Sequence, residues 1–414
     1  MSNIEQSSKT PVPSWLMLMY LIMIGFTFIS MPRTGMTYIV SRLIQAIELL
    51  FFVAIAIQFA KKPQQRSQFN MSVNIWWGLY TALTYAFASG MGLTPLFKWL
   101  NIFIFLLLGS CYWKDNFQDN LKYIAIAFSI LIYLNAILLI IYPHGIWIDT
   151  EWVGRGDAAR YLFGNYNQMG FVCLLGITAQ AMYSLSSGEG KKNLVLLLII
   201  SIASVLKVGS MTSAVGLCIL AIYICTYKVI KRPQVFFWIF AVLYVAFFVG
   251  IIWLGNSIDE IRLVSHFVEG VLSKDSSFSS RTDIWNNAVD LIKESPIYGY
   301  GVQNVDWNDS HLGGSGTHNL WLLLLLQGGF ILWFIFHFIL IFVIVRAKKS
   351  HITHTTIGIV SLCILMLMSL FEAYNMVQVF LLMQFVYYSP TLNDPTQDSP
   401  KTKSTPLKIP QYMT

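Results

Sequence analysis

Long apolar runs that carry almost no charge dominate this 414-residue chain. A run of about 20 apolar residues spans the hydrocarbon core of a bilayer as a helix, because a helix satisfies its own backbone polar groups. Only 11% of the residues are charged and 56% are hydrophobic, whereas a soluble domain carries about 25% charge. The runs do not alternate residue by residue as the strands of a membrane barrel do. The sequence therefore predicts an all-α fold, a polytopic transmembrane helical bundle.

The runs and the charges between them predict about twelve spans and their orientation. The spans lie near residues 14–31, 37–60, 73–90, 95–112, 121–142, 165–185, 193–207, 210–228, 235–255, 318–345, 355–371 and 374–389. Basic residues cluster in every second connection, which places both termini in the cytoplasm by the positive-inside rule. We expect a membrane bundle of about nine spans (1–255), a large extracytoplasmic loop domain with short amphipathic helices (256–317), C-terminal membrane helices (318–389) and a disordered cytoplasmic tail (390–414).

The net charge of +7 does not indicate a nucleic-acid partner, because the basic residues sit in short clusters beside apolar runs. The five cysteines all fall inside apolar runs, where a thiol is a small core residue. Neither the cysteines nor the histidines have the spacing of a metal site. We therefore expect no disulfide framework, no metal and no cofactor.

The first candidate for chemistry is a short helix that carries Arg281 in the predicted loop. Ser280 and Asp283 have the spacing of a capping box at the start of this helix, and Pro296 ends it. A cation in the first helical turn opposes the helix dipole. Arg281 therefore either binds an anionic ligand or pairs with a neighbouring acid.

A glycine-rich stretch leads into the tenth predicted span, where His318 and Asn319 stand at the membrane boundary. The N-terminus of a helix disfavours imidazolium, so His318 is expected to be neutral and able to accept a proton. A structural interpretation is a ring that only hydrogen-bonds the loop. With Arg281 and the glycines nearby, we favour a catalytic histidine.

A third group precedes the sixth predicted span. Asn165 and Asn167 are expected to face the protein interior or a wet cavity, because amides are poor partners for lipid. The guanidinium of Arg160 suits a diphosphate, although it could instead extend to lipid headgroups. Arg42 and Glu48 in span two are weaker candidates. Glu372 lies near a predicted outer helix end, where solvation alone would explain it.

These residues together resemble the bacterial O-antigen ligase and O-antigen (surface polysaccharide) polymerase superfamily. The resemblance is carried by Arg281-x3-Trp285-x2-Ala288-x3-Ile292-x3-Pro296-x2-Gly299-x-Gly301, by His318-Asn319 with Gly328-Gly329, and by Arg160…Phe163-Gly164-Asn165-x-Asn167. It covers residues 160–330 in motifs and the whole chain in topology. Two positions depart from the family pattern. Tyr166 stands where the family usually has proline, and Leu332 stands where it often has a small or β-branched residue. Neither departure affects a charged position.

The resemblance implies an inverting, metal-independent glycosyltransferase of the bacterial inner membrane that uses a glycan on undecaprenyl diphosphate. His318 would take the proton of the acceptor hydroxyl, while Arg160 and Arg281 neutralise the leaving diphosphate. Substrate contacts are expected from Asn165, Asn167, Asn319, Trp285 and Gly301. The expected partners are the lipid-linked donor, a glycan or lipid-linked acceptor, the bilayer, and chain-length regulator and flippase proteins.

Two alternatives remain open. The acceptor could be another lipid-linked glycan, as for a polymerase, or a lipid A-core, as for a ligase, and we lean towards the polymerase. A transporter or lipid flippase shares the twelve-span layout, but transporters usually have paired halves with matching broken helices. This sequence has no such symmetry.

Overall fold

The computed structural model describes residues 15–30, 35–61, 67–88, 94–149, 159–227, 233–253, 277–348, 353–373 and 375–392. The α-helices among these residues are α1 (Trp15–Phe28), α2 (Gly35–Ala60), α3 (Gln68–Phe87), α4 (Thr94–Leu108), α5 (Lys114–Ile141), α6 (Tyr166–Ser187), α7 (Lys191–Lys207), α8 (Met211–Thr226), α9 (Pro233–Trp253), α10 (Ser277–Glu294), α11 (Val305–Leu312), α12 (Leu320–Lys348), α13 (Thr353–Met368) and α14 (Met376–Tyr388). A π-helical turn (Gly109–Trp113) joins α4 to α5, and a 3₁₀ turn (Ser389–Thr391) follows α14.

The predicted spans and the observed helices agree in position. A helix lies at each of the twelve predicted spans. By length and composition, three helices of the described part are apolar enough to cross a bilayer, namely Asn116–Ile141, Tyr166–Ser187 and Leu320–Lys348. The mostly helical fold is thus confirmed, while the total of twelve spans and their orientation stay predictions.

Helix α6 lies at the centre of the bundle, because nearly all of its side chains are buried. It packs against α5, α7, α8 and α13. Buried polar groups link these helices: the Asn193 amide donates to Gln180 Oε1 (2.9 Å), and the Tyr133 hydroxyl donates to Asn193 Oδ1 (2.6 Å). In lipid, where no hydrophobic effect drives helices together, hydrogen bonds of this kind contribute to their association.

Helix α12 is broken one-third of the way along, at Gly328 and Gly329, whose backbone angles are not helical. The segment 296–301 lies against the break and satisfies the backbone groups that the break leaves open. The amides of Tyr300 and Gly301 donate to the carbonyls of Leu326 (2.8 Å) and Gln327 (3.0 Å). The amide of Phe330 donates to the Pro296 carbonyl (2.8 Å). Irregular backbone in a membrane-spanning helix is tolerated where protein buries it in this way.

Three sequence expectations need correction. Span ten is not one regular helix, because the glycine pair interrupts it. The fold also contains a two-stranded antiparallel pair, β1 (Trp147–Ile148) and β2 (Ala159–Arg160), in the predicted first outer loop. Helix α10 begins at Ser277, so Ser280 lies inside the helix and is not its N-cap. The end of α10 at Glu294, just before Pro296, agrees with the prediction.

Parts of the predicted organisation fall outside the described residues. These include residues 256–276 of the expected loop domain and residues 393–414 of the expected disordered tail. The domain division therefore stays a prediction.

Candidate functional site

The guanidinium of Arg281 lies against the turn that joins α13 to α14. Its NH1 donates to the Phe371 carbonyl (2.8 Å), and its NH2 donates to Glu372 Oε1 (3.0 Å). Arg281 sits on α10, some ninety residues earlier in the chain, so this contact joins the predicted outer loop to the C-terminal helices. The side chain retains 21% exposure.

His318 occupies the turn directly before α12. Its φ of 46° lies in the left-handed region, where histidine is uncommon, and Thr317 and Asn319 on either side are buried. Its ring Nδ1 lies 3.8 Å from Glu372 Oε2, and the side chain is 34% exposed. The imidazole therefore faces a carboxylate on one side and remains reachable on the other.

Glu372 connects these two groups. The two oxygens of this one carboxylate face different partners, Oε1 the Arg281 guanidinium and Oε2 the His318 ring. Its side chain is only 9% exposed. The expectation that solvation explains Glu372 is therefore wrong: the carboxylate is buried and ion-paired. We call Arg281, His318 and Glu372 the triad cluster.

Asn319 fixes the backbone on which His318 stands. Its Oδ1 accepts from the amides of Trp321 (2.9 Å) and Leu322 (3.1 Å), which caps the first turn of α12. Its Nδ2 donates to the Leu370 carbonyl (2.9 Å). The side chain is fully buried and its amide is engaged in these structural contacts. The structure thus gives Asn319 a supporting position beside the cluster.

A small apolar core anchors α10 under the cluster. It consists of Ile284, Trp285, Ala288, Leu312, Leu322 and Leu326. The Trp285 indole is 2% exposed and donates to the Thr317 carbonyl (2.8 Å), one residue before His318. Trp285 therefore sets the distance between α10 and the His318 turn. Its expected contact with substrate has no support in this burial.

Gly301 packs against α3, not against the cluster. Its φ is 70°, and a Cβ at this position would lie 2.9 Å from Thr84 Cα. The neighbouring Tyr300 hydroxyl bonds the Leu291 carbonyl and Glu294. Partial burial, followed by the Glu294 carboxylate, raises the pKa of the Tyr300 phenol. The phenol therefore stays neutral and holds this loop over a wide pH range.

Arg160 lies on β2, and its pairing to β1 aligns it with Trp147. Its Nε donates to Asp149 Oδ2 (3.2 Å), and the residue is buried. The structure thus pairs Arg160 with Asp149, whereas Arg281 and His318 both face Glu372. The expected convergence of the two arginines stays a prediction.

The two asparagines near Arg160 differ in their surroundings. Asn165 caps α6, because its Oδ1 accepts from the Gln168 amide (3.1 Å). Asn167 is buried on the first turn of α6, as its expected inward orientation requires. Arg42 is exposed on α2, and the side chain of Glu48 lies outside the described set.

A small cavity of about 20 Å³ is bordered by Thr317 and by the amide side chains of Gln303, Asn308 and Gln327. This volume holds about one water molecule. Among the described residues, no group of three or more His, Cys, Asp or Glu could hold a metal ion.

The apolar helices indicate an integral membrane protein, and its described part holds a buried carboxylate between a guanidinium and a partly exposed imidazole. The family comparison makes this specific: residues 196–337 match the family model described as O-antigen ligase. The resemblance to the O-antigen ligase and polymerase superfamily is thereby confirmed for a segment that contains Arg281 and His318. In broad terms the match supports a membrane glycosyltransferase that acts on lipid-linked glycans.

Arg160 and Glu372 lie outside the matched segment. No curated protein and no solved structure matches the chain.

Proposed function

We propose that this protein transfers a glycan from undecaprenyl diphosphate to an acceptor glycan at the outer face of the bacterial inner membrane, as a surface polysaccharide polymerase. The observation that carries the proposal is the triad cluster, in which a reachable imidazole and an arginine share one buried carboxylate. The product would be an O antigen, a capsule or an exopolysaccharide. Both termini would lie in the cytoplasm.

In the proposed reaction, His318 accepts the proton of the acceptor hydroxyl through Nε2, the ring nitrogen remote from Glu372. The hydroxyl oxygen then bonds to the anomeric carbon of the donor. The bond from that carbon to the diphosphate oxygen breaks, and the diphosphate leaves with the electron pair. Displacement in one step inverts the anomeric centre, and no metal is needed if arginines hold the leaving charge.

Of the two arginines proposed to bind the diphosphate, Arg281 belongs to the triad cluster, where it shares the Glu372 carboxylate with His318. A guanidinium offers paired N–H groups that match two phosphate oxygens. Arg160 would reach the same diphosphate from the β1–β2 side. Asn165 and Asn167 would orient sugar rings or phosphate oxygens, while Asn319, Trp285 and Gly301 would shape the site.

The ligase alternative is favoured by the description of the matched family, O-antigen ligase. In that alternative the acceptor is a lipid A-core oligosaccharide. A deletion strain separates the two functions on a glycan gel. Loss of a polymerase collapses the ladder to single repeats, whereas loss of a ligase leaves lipid-linked polymer without core attachment. Chain-length regulator and flippase proteins would be functional partners in both cases.

His318→Ala tests the chemistry in the same strain. We expect this variant to reach the membrane in normal amount and to leave the glycan pattern of the deletion unchanged, because the base is missing. The matched control is His311→Ala, since His311 is an exposed histidine of the same segment that stacks on Trp307. It should restore the wild-type pattern. A wild-type pattern from His318→Ala at equal abundance contradicts the proposal.

A further inference from the structure

Glu372 is a buried carboxylate, and its burial has a cost in free energy. Removing a carboxylate from water is unfavourable unless other groups pair with it. A negative charge beside a site for a diphosphate also repels the donor. Glu372 nevertheless lies buried between Arg281 and His318, 3.0 Å from the guanidinium and 3.8 Å from the imidazole Nδ1.

The turn that bears Glu372 is held in register with the His318 turn. The Leu320 amide donates to the Ser369 carbonyl (2.8 Å), and the Asn319 side chain donates to the Leu370 carbonyl (2.9 Å). Arg281 adds its bond to the Phe371 carbonyl (2.8 Å). Three successive residues before Glu372 are therefore tied to the site, and the backbone of this turn cannot move away without breaking these bonds.

We infer that Glu372 is a positioning residue for glycosyl transfer, with one oxygen fixing Arg281 and the other orienting His318. The inference rests on the proposed function. With Nδ1 directed at the carboxylate, Nε2 is presented to the acceptor hydroxyl, and the carboxylate stabilises the imidazolium that forms as the proton arrives. The same carboxylate keeps the guanidinium aligned for the leaving diphosphate. Glu372 itself exchanges no proton with substrate.

Glu372→Gln keeps the shape of the side chain and removes its charge. We expect kcat to fall by about 100-fold, since an orienting acid contributes through the base that it holds. The KM for the donor should change by less than about threefold, because Arg281 remains and a repulsive charge is gone. A smaller folded fraction would also lower the apparent kcat at an unchanged KM, so kcat is expressed per folded protein and the double-mutant cycle tests the positioning role.

The experiment uses the purified full-length chain in vesicles. The probe is the lipid-linked glycan that accumulates in the deletion strain, and release of polyprenyl diphosphate gives the rate. A double-mutant cycle compares Glu372→Gln, His318→Ala and the double variant. In the His318→Ala background, Glu372→Gln should lower the residual rate by only about tenfold or less, because only its effect through Arg281 remains. Asp290→Asn is the control for loss of an acid, because the Asp290 side chain is 70% exposed and forms a surface ion pair with Lys293.

The outcomes separate the inference from the proposed function. Full activity of His318→Ala overturns the proposed function. A dead His318→Ala together with a near-normal kcat for Glu372→Gln overturns only the positioning role. Equal and independent losses in both backgrounds also overturn it, because Glu372 would then act without His318. If Glu372→Gln does not purify folded, Glu372→Asp takes its place in the cycle, with about a tenfold loss of kcat expected from the retracted carboxylate.

Discussion

Gly329→Ala tests whether the break in α12 is held by the segment that docks against it. Gly329 has φ 58° and ψ −161°, a combination that essentially only glycine adopts. A Cβ at this position would lie 2.2 Å from both the carbonyl carbon and oxygen of Ile297. These are backbone atoms, and the Phe330 amide holds the adjacent Pro296 carbonyl in place.

The expected loss has two parts. Forcing alanine into this backbone conformation costs about 1–3 kcal/mol. Moving residues 296–301 away from the added methyl group breaks three backbone hydrogen bonds, each worth about 1 kcal/mol net. We therefore expect Gly329→Ala to lower the free energy of unfolding by about 4–6 kcal/mol. Activity should fall as well, because the same segment connects α10 to the His318 turn.

The assay is SDS-induced unfolding in mixed micelles, followed by tryptophan fluorescence. Gly188→Ala is the matched control. Gly188 also has a positive φ, 78°, but no atom lies within 4 Å of a Cβ built there. Gly188→Ala should lower the free energy of unfolding by only about 1 kcal/mol, the cost of placing alanine in the left-handed conformation. Equal losses for the two variants would refute the reasoning, because the docked segment would then contribute nothing.

Two further changes test the support of the site. Asn319→Ala should lower the free energy of unfolding by about 2 kcal/mol in the same assay, since it removes the cap of α12 and the bond to the Leu370 carbonyl; an unchanged midpoint contradicts this. Asp149→Asn should change the free energy of unfolding by less than about 1 kcal/mol, because the Asp149 side chain is 30% exposed. A decrease of more than about 3 kcal/mol would contradict this and show that the buried Arg160 needs this partner for folding.

The positions of the helices could be predicted from the sequence, because lipid leaves few choices to an apolar run. Arg281 was singled out as a cation in the first helical turn, but α10 begins at Ser277 and places Arg281 in its second turn. His318 was identifiable from its position before a membrane helix and behind a glycine-rich stretch. These inferences use only local information along the chain.

The contacts that complete the site depend on the fold. Glu372 follows α13 and meets the Arg281 side chain of α10 only in the folded chain, and nothing local in the sequence pairs residues ninety positions apart. The one available signal was an acid next to the end of an apolar run on the predicted outer side. The break at Gly328–Gly329 was missed for the same reason, since glycines are common in membrane helices and only the docked segment explains this pair.

The central claim is that His318, held by Glu372 and Arg281, performs the proton transfer of a glycosyl transfer. The most direct measurement is a single-turnover experiment with purified protein in vesicles, which follows the bond between sugar and diphosphate in the bound donor. The account predicts that His318→Ala still binds the donor but breaks this bond about 10²–10⁴ times more slowly than the wild type. Bond breakage within twofold of the wild-type rate would contradict it.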